Sequence, residues 1–294
     1  MENQRMGKYP QYITGLFAIR QIEEKVGCLD NIKESSIFQS LLYKLCENNM
    51  ENDALINSYK IENPNSVLNP HSLSVSKREL KKAKKNMITA FTWGYSNWRD
   101  NKFDPKIIDD IYIRTLAGLI SPELHNNSVA MYRTASARTL YTRLAPTQPD
   151  KIRDEINQFT FNLQEILKHY TFTARIEASN YAHLHLARIH PFDDGNGRTA
   201  RMLQTIILKS KQMPPPIIYP GEKQNYIDLM EEASLGWMIR KEPSKGETPS
   251  TVSEEKLYNY LAGKVSSSLD RMLQHCAAEG LLSATDFISS KLKY

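Results

Sequence analysis

Cysteine is scarce in this chain, and its three thiols form no useful pattern. Cys28, Cys46 and Cys276 are widely spaced and make no C-x-x-C pair. That spacing supports neither a zinc knuckle nor a disulfide framework, so reduced, partly buried thiols are expected. Long hydrophobic runs are missing too, since none approaches the roughly 20 residues of a bilayer-spanning helix. Met1 to Pro10 is polar and lacks the apolar core of a cleaved leader. The expectation is a chain with no membrane span, made and folded in the cytoplasm; export by a route without a cleaved signal stays open. There is no large excess of one charge: 38 Lys and Arg face 33 Asp and Glu, a net charge of +5. Much of that excess lies in Lys77 to Lys85, where Leu80, Ala83 and Met87 recur at helical spacing. A helix with one buried stripe and a solvated lysine face accounts for it, so nucleic acid is not an expected partner.

What is present is helical periodicity. The 294 residues are ample for a core, and 40% are hydrophobic. Ile107, Ile108, Ile111 and Leu119 mark one amphipathic segment, started by Asp104-Pro105. Ile152, Ile156, Phe159, Leu163 and Leu167 mark a second, after the breaker run 145–150. Ala178, Ala182, Leu186 and Ile189 mark a third. Leu203, Ile206 and Ile207 mark a fourth, which ends before three consecutive prolines, and Tyr226, Leu229, Met230 and Ala233 a fifth. Tyr132 to Leu144, rich in Thr, Tyr and Arg, lacks a helical stripe and predicts a short hairpin. Strands at regular spacing do not occur. The fold class read from these patterns is mostly α with one small β element. Residues 244–253 read as a linker, and Leu257 to Cys276 again fit a helix with Ser253 as N-cap. So short a tail forms no core alone, and docking on the rest is expected.

The segment that carries chemistry is Ile189 to Arg201, between the third and fourth helices. Gly195, Asn196 and Gly197 permit positive φ, so successive N–H groups can face one concavity. That concavity opens at a helix N-terminus, which favours an anion. Arg198 and Arg201 project from one face of the first turn, and their guanidinium forks suit phosphate oxygens. Two arginines at a helix start oppose the dipole, a conflict that a bound polyphosphate removes. Asp194 offers a hard oxygen ligand of the kind Mg²⁺ prefers when shared with a nucleotide. His190, at the helix exit before Pro191, has an ordinary pKa near ~6.5 that suits a general base. Phe192 is expected to anchor the loop. The string is not a Walker phosphate loop, because no lysine follows the glycines, nor is it H-E-x-x-H zinc spacing. His183 and His185 diverge on a helix and read as structural.

The string His190 to Arg201 is similar to the Fic family signature H-x-F-x-(D/E)-G-N-G-R-x-x-R, with every fixed position met. The resemblance runs from about Ala54 to Lys241. It implies a helical bundle with a small β-hairpin flap beside the active site. It implies three regions: 1–100 helical and inhibitory, 101–243 the core, and 244–294 linker and tail. It also implies an adenylyltransferase that moves AMP from Mg-ATP to a Ser, Thr or Tyr hydroxyl of a protein target. In that role His190 deprotonates the hydroxyl, and Asp194 holds Mg²⁺ against the α- and β-phosphates. The backbone of Gly195, Asn196 and Gly197 cradles phosphates, while Arg198 and Arg201 neutralise the β- and γ-phosphates. Tyr226 matches a nucleotide-contacting tyrosine, with a core aromatic as the equal alternative. Tyr132-Arg133 matches an arginine commonly preceding the flap. Thr139, Leu140 and Tyr141 fall on the flap, though the glycine often found there is missing. Relatives often dimerise, so a homodimer is among the expected partners.

Ser58 to Asn63 resembles the family's inhibitory motif (S/T)-x-x-x-E-(G/N), after a short helical pattern of Leu55, Ile56 and Tyr59. The resemblance implies that Glu62 pairs with Arg201 and blocks productive ATP binding, with Ser58 opening the motif. The same glutamate suits a reverse, AMP-removing hydrolase or an enzyme doing both. A regulatory binding module with a silent site is a third reading, and the intact His190 and Asp194 argue against it.

Overall fold

The strongest organiser in the chain is a helix that buries almost all of its faces. The computed structural model describes residues 13–30, 77–98, 103–119, 132–137, 145–169, 171–241 and 251–278. Among them run eight α-helices: α1 (Leu16–Asp30), α2 (Lys77–Asn97), α3 (Lys106–Leu116), α4 (Ile152–Leu167), α5 (Phe172–Ile189), α6 (Asn196–Lys209), α7 (Lys223–Lys241) and α8 (Val252–Ala278). The buried helix is α5, capped at its start by the Thr171 hydroxyl, which accepts from the Ala174 N–H at 3.1 Å. Its apolar stripe is the one periodicity predicts. Its other face is polar and equally buried, with Glu177, Asn180, His183 and His185 all inside. No polarity pattern could have flagged that face as core.

Three apolar clusters meet on α5. Ala178, Ala182 and Leu186 join Ile108, Ile111, Leu116, Phe159, Leu163, Leu203 and Ile206 in the cluster under α2, α3, α4 and α6. Ile176 joins a second with Ile19 and Ile22 of α1 and Val265 and Leu269 of α8. Leu184 joins a third with Tyr226, Ile227 and Met230 of α7 and Leu257 and Leu261 of α8. The tail helix α8 is therefore packed on both α1 and α7. Lys25 reinforces the first contact, with Nζ 2.8 Å from Asp270 and 2.6 Å from the Ser266 hydroxyl.

Several boundaries differ from the sequence reading. α3 stops at Leu116, so Leu119 lies beyond it, after Gly118 at φ +62°. The Asn86 side-chain amide of α2 donates to the carbonyls of Thr115 and Ala117 and holds that end. α8 is capped by Thr251 rather than Ser253. Thr251 Oγ1 accepts from the Glu254 N–H at 3.3 Å, and the Glu254 carboxylate accepts from the Thr251 N–H at 3.1 Å. Along α2, Ala83 and Met87 are buried while Lys81, Lys82 and Lys85 face solvent. No strand occurs among the described residues. Residues 132–137, the start of the expected hairpin, are irregular, and 138–144 lie outside the described residues. Among the described residues, no helix is long and apolar enough to cross a membrane.

Candidate active site

The turn between α5 and α6 is fixed by two left-handed residues and one side-chain bridge. α5 ends where His190 enters the left-handed region, at φ 54° and ψ 58°, with its N–H still bonded to the Leu186 carbonyl. Pro191 explains why the helix cannot go on, because a proline disfavours α geometry in the residue before it. Left-handed geometry costs a non-glycine residue roughly 1–2 kcal/mol, so something must hold His190 there. At the other end, Gly195 takes φ +76°. A Cβ added to Gly195 would sit 2.5 Å from Leu116 Cδ1, so glycine is required for space as well as for φ. Between them the Asn196 side chain closes the turn. Its Oδ1 accepts from the Phe192 N–H at 2.9 Å and its Nδ2 donates to the Phe192 carbonyl at 2.7 Å.

Phe192 is fully buried, as expected, and stacked on Tyr112 with ring centroids 3.7 Å apart. Tyr132 tilts against the same ring at 5.8 Å. Nothing in the residue pattern around Tyr112 signals this role. Gly197 departs from expectation. Its φ is not positive, because α6 already begins at Asn196. The concavity is thus the helix N-terminus itself. The N–H groups of Asn196, Gly197 and Arg198 have no carbonyl four residues earlier inside α6, and the Thr199 N–H makes the first such bond, to Gly195.

Asp194 stands at the rim of that N-terminus with its side chain 53% exposed. Its Oδ1 accepts from the Gly195 N–H at 2.6 Å, and its Oδ2 is 2.9 Å from Arg198 Nη2. Arg198 is otherwise buried. The expected clash between two arginines and the helix dipole is therefore partly relieved within the chain, by Asp194. Burial first, then the charges of Asp194 and Asp193, push the Tyr112 phenol up to about 12.

His190 Nδ1 lies 3.3 Å from the Ala187 carbonyl, within the reach of a ring N–H donor. A neutral ring that donates there carries its lone pair on Nε2. His183 is the opposite case. It is fully buried, with Nδ1 2.5 Å from Gln204 Oε1 and Nε2 2.6 Å from the Tyr226 hydroxyl. Burial first, then the charge of Arg201, pushes its pKa down to about 3, so it stays neutral. The neutral ring donates to Gln204 and accepts from Tyr226. Gln204 in turn donates to Asn180, and Asn180 to Thr14 and the Tyr258 carbonyl. Tyr226 is thus a buried residue of the third cluster whose hydroxyl is already engaged. His185 is buried between the rings of Tyr181 and Trp237.

Arg133 joins the loop at 132–137 to His190. Its main-chain N–H donates to the Pro191 carbonyl at 2.9 Å. Its guanidinium donates to the carbonyls of His190 at 2.7 Å and Ala135 at 2.9 Å, and to that of Thr147. Ser58, Glu62, Thr139, Leu140 and Tyr141 lie outside the described residues. Within the described residues no group of three or more His, Cys, Asp or Glu side chains could hold a metal alone. Mg²⁺ shared with a triphosphate needs only one or two carboxylates, with phosphate oxygens and water completing the shell. The exposed Asp194 carboxylate fits that mode.

Residues 103–208 match the Fic/DOC family. A protein adenylyltransferase Fic from Nematostella vectensis is 31% identical over 112 residues, which is 38% of this chain and 26% of that protein. The chain thus spans about a quarter of that relative's length. Among solved structures, a Fic domain containing signaling protein from Bacteroides thetaiotaomicron superposes with a TM-score of 0.65. That pairing is 18% identical and covers 88% of this chain and 97% of the other. A fragment of Fic-1 from C. elegans gives a TM-score of 0.63 at 18% identity, covering 90% of this chain and 74% of the fragment. The signature from His190 to Arg201 lies within the stretch 103–208 that matches the Fic/DOC family, and the helical frame around the α5–α6 turn is the fold of those solved Fic structures.

Proposed function

We propose that this chain is a protein adenylyltransferase, transferring AMP from ATP to a Ser, Thr or Tyr hydroxyl of a target protein. The observation that carries the reading is the juxtaposition at the α5–α6 turn. A histidine whose Nδ1 faces a main-chain carbonyl stands beside a helix N-terminus carrying Arg198, Arg201 and Asp194. The target oxygen attacks the α-phosphorus, the bond to the bridging oxygen breaks, and pyrophosphate leaves. The hydroxyl proton passes to His190 Nε2. The N–H groups at the start of α6 receive phosphate oxygens, and Arg198 and Arg201 offset the charge that grows on the leaving pyrophosphate. Asp194 is the residue that would hold Mg²⁺, which when bound supplies further charge stabilisation on the phosphates. Tyr226 meets the nucleotide, in this reading, through its ring, since its hydroxyl is held by His183. Thr139, Leu140 and Tyr141 form a flap that clamps the target segment as an added strand.

Glu62 restrains the forward reaction by pairing with Arg201. The support is the motif from Ser58 to Asn63 upstream of the domain. The same motif supports a second reading, AMP removal, with Glu62 aligning a water for attack on phosphorus.

One comparison tests the set: wild type, Glu62→Gly, and Glu62→Gly with His190→Ala, each incubated with Mg-ATP and a cell lysate and read by intact-mass and peptide mass spectrometry. The expected result is AMP on protein hydroxyls with Glu62→Gly, little with wild type, and at least a 10²-fold loss when His190 is removed. A folded Glu62→Gly protein that adds no AMP to itself or to any lysate protein overturns the transferase reading. Release of AMP from a modified substrate by wild type but not by Glu62→Gly selects the hydrolase.

A further inference from the structure

We propose that Arg133 is the positioning residue that sets the tautomer of His190, an inference that rests on the transferase reading for its kinetic consequence only. His190 sits in left-handed geometry, and from that backbone its Nδ1 faces the Ala187 carbonyl. Left-handed geometry is unfavourable for a residue with a Cβ, and the following proline merely forbids the helix from continuing. What holds His190 is its own carbonyl, which accepts from Arg133 Nε at 2.7 Å, a charge-assisted hydrogen bond. The Pro191 carbonyl is fixed by the Arg133 N–H, so one residue grips both peptide units around the turn.

The same guanidinium is itself immobilised. It donates to the carbonyls of Ala135 and Thr147, the described residues on either side of 138–144, and Arg133 is only 2% exposed. A cation here also complements the C-terminal end of the α5 dipole, next to the Ile189 and His190 carbonyls. Arg133 touches neither the imidazole nor the α6 N-terminus in these contacts. Its action on the ring therefore runs through the main chain. Lysine cannot replace it, because one ammonium cannot span carbonyls that a planar fork bridges.

The experiment is long-range ¹H–¹⁵N NMR of the His190 imidazole in the full chain, as wild type, Arg133→Met and Arg133→Lys, with His190→Gln to assign the signals. Wild type is expected to show mainly the Nδ1–H tautomer at neutral pH. Both Arg133 variants are expected to shift toward Nε2–H. In the Glu62→Gly background the same variants are expected to lose roughly 10²-fold in kcat while the KM for ATP stays within about twofold. A folded variant that keeps the wild-type tautomer overturns the proposal, and Arg133→Lys decides it if Arg133→Met does not fold. A stability role alone would lower the melting temperature and leave the nitrogen shifts unmoved. If wild type shows the tautomer and the variants lose it, but Glu62→Gly transfers no AMP, the transferase reading fails and the positioning role stands.

Discussion

At the scale of single residues, the site is set by where protons are allowed to be. Asp109 lies on α3 below Tyr132, and its carboxyl is pushed up to about 6. Burial is the main cause, followed by the charges of Asp110 and Asp104, while the hydrogen bond from Tyr132 works the other way. The folded chain thus keeps the Asp109 proton up to about 6, and an unfolded one releases it near its ordinary 3.8. The contribution of this group to stability is fully present below pH 3.8 and is lost as pH rises through about 6. Asn at 109 keeps an acceptor for the Tyr132 hydroxyl and cannot ionise. Asp109→Asn is therefore expected to melt higher than wild type at pH 7.5 and at the same temperature near pH 4. Differential scanning calorimetry across that range checks it, and an equal difference at both pH values would show that ionisation is not the cause. The consequence reaches the site, because Tyr132 packs on Phe192 and precedes the arginine that grips His190.

At the scale of elements, the site depends on one helix ending and the next beginning across a turn closed by Asn196. Gly195 is where this is least forgiving. Alanine there would take φ +76° with a Cβ, and that Cβ would press on three atoms of Leu116 within 3.0 Å. Left-handed strain and overpacking together are expected to cost about 2 to 4 kcal/mol for Gly195→Ala. Urea denaturation would read this as a lower midpoint with an unchanged slope. If the loss is below about 0.5 kcal/mol, the turn has another conformation available and the reading of Gly195 is wrong. The glycine was legible in the sequence because its neighbours matched a long signature. Gly197 was legible as a residue but not as a conformation, since a helix start and a loop both accept glycine. Likewise α4 and α6 followed from periodicity, because each turns one apolar face inward. The polar face of α5 did not, because its burial is made tolerable by partners on distant elements: Gln204, Tyr226 and Thr14. Arg133 was visible through the resemblance, but the carbonyls its guanidinium holds lie up to 57 positions away in the chain.

At the scale of the whole molecule, the Fic/DOC match ends at residue 208, yet the core does not. Glu177 on α5 accepts from the N–H groups of Ile13 and Thr14 and from the Thr14 hydroxyl. Asn259 on α8 accepts from the Gly15 N–H. Through Asn180 and Gln204 this polar network continues to His183 and Tyr226, so α1 and α8 are tied to the helices that carry the site. The apolar side agrees, since Leu257, Leu261, Val265, Leu269 and Met272 of α8 are all buried. At ~1.5–3 kcal/mol for each fully buried large side chain, α8 contributes on the order of 10 kcal/mol before its ordering cost. A domain is stable by only about 5–15 kcal/mol, so the helix cannot be a dispensable appendage. A chain cut after Lys241 is expected to bind a hydrophobic dye and to melt without a cooperative transition, because Ile19, Ile22, Leu208, Met213 and Ile218 would lose their cover. Calorimetry and dye fluorescence on that truncation, beside the full chain, decide the matter. A sharp transition at the full-length melting temperature would mean that the helices around the α5–α6 turn hold themselves together, and that α8 is a passenger on them.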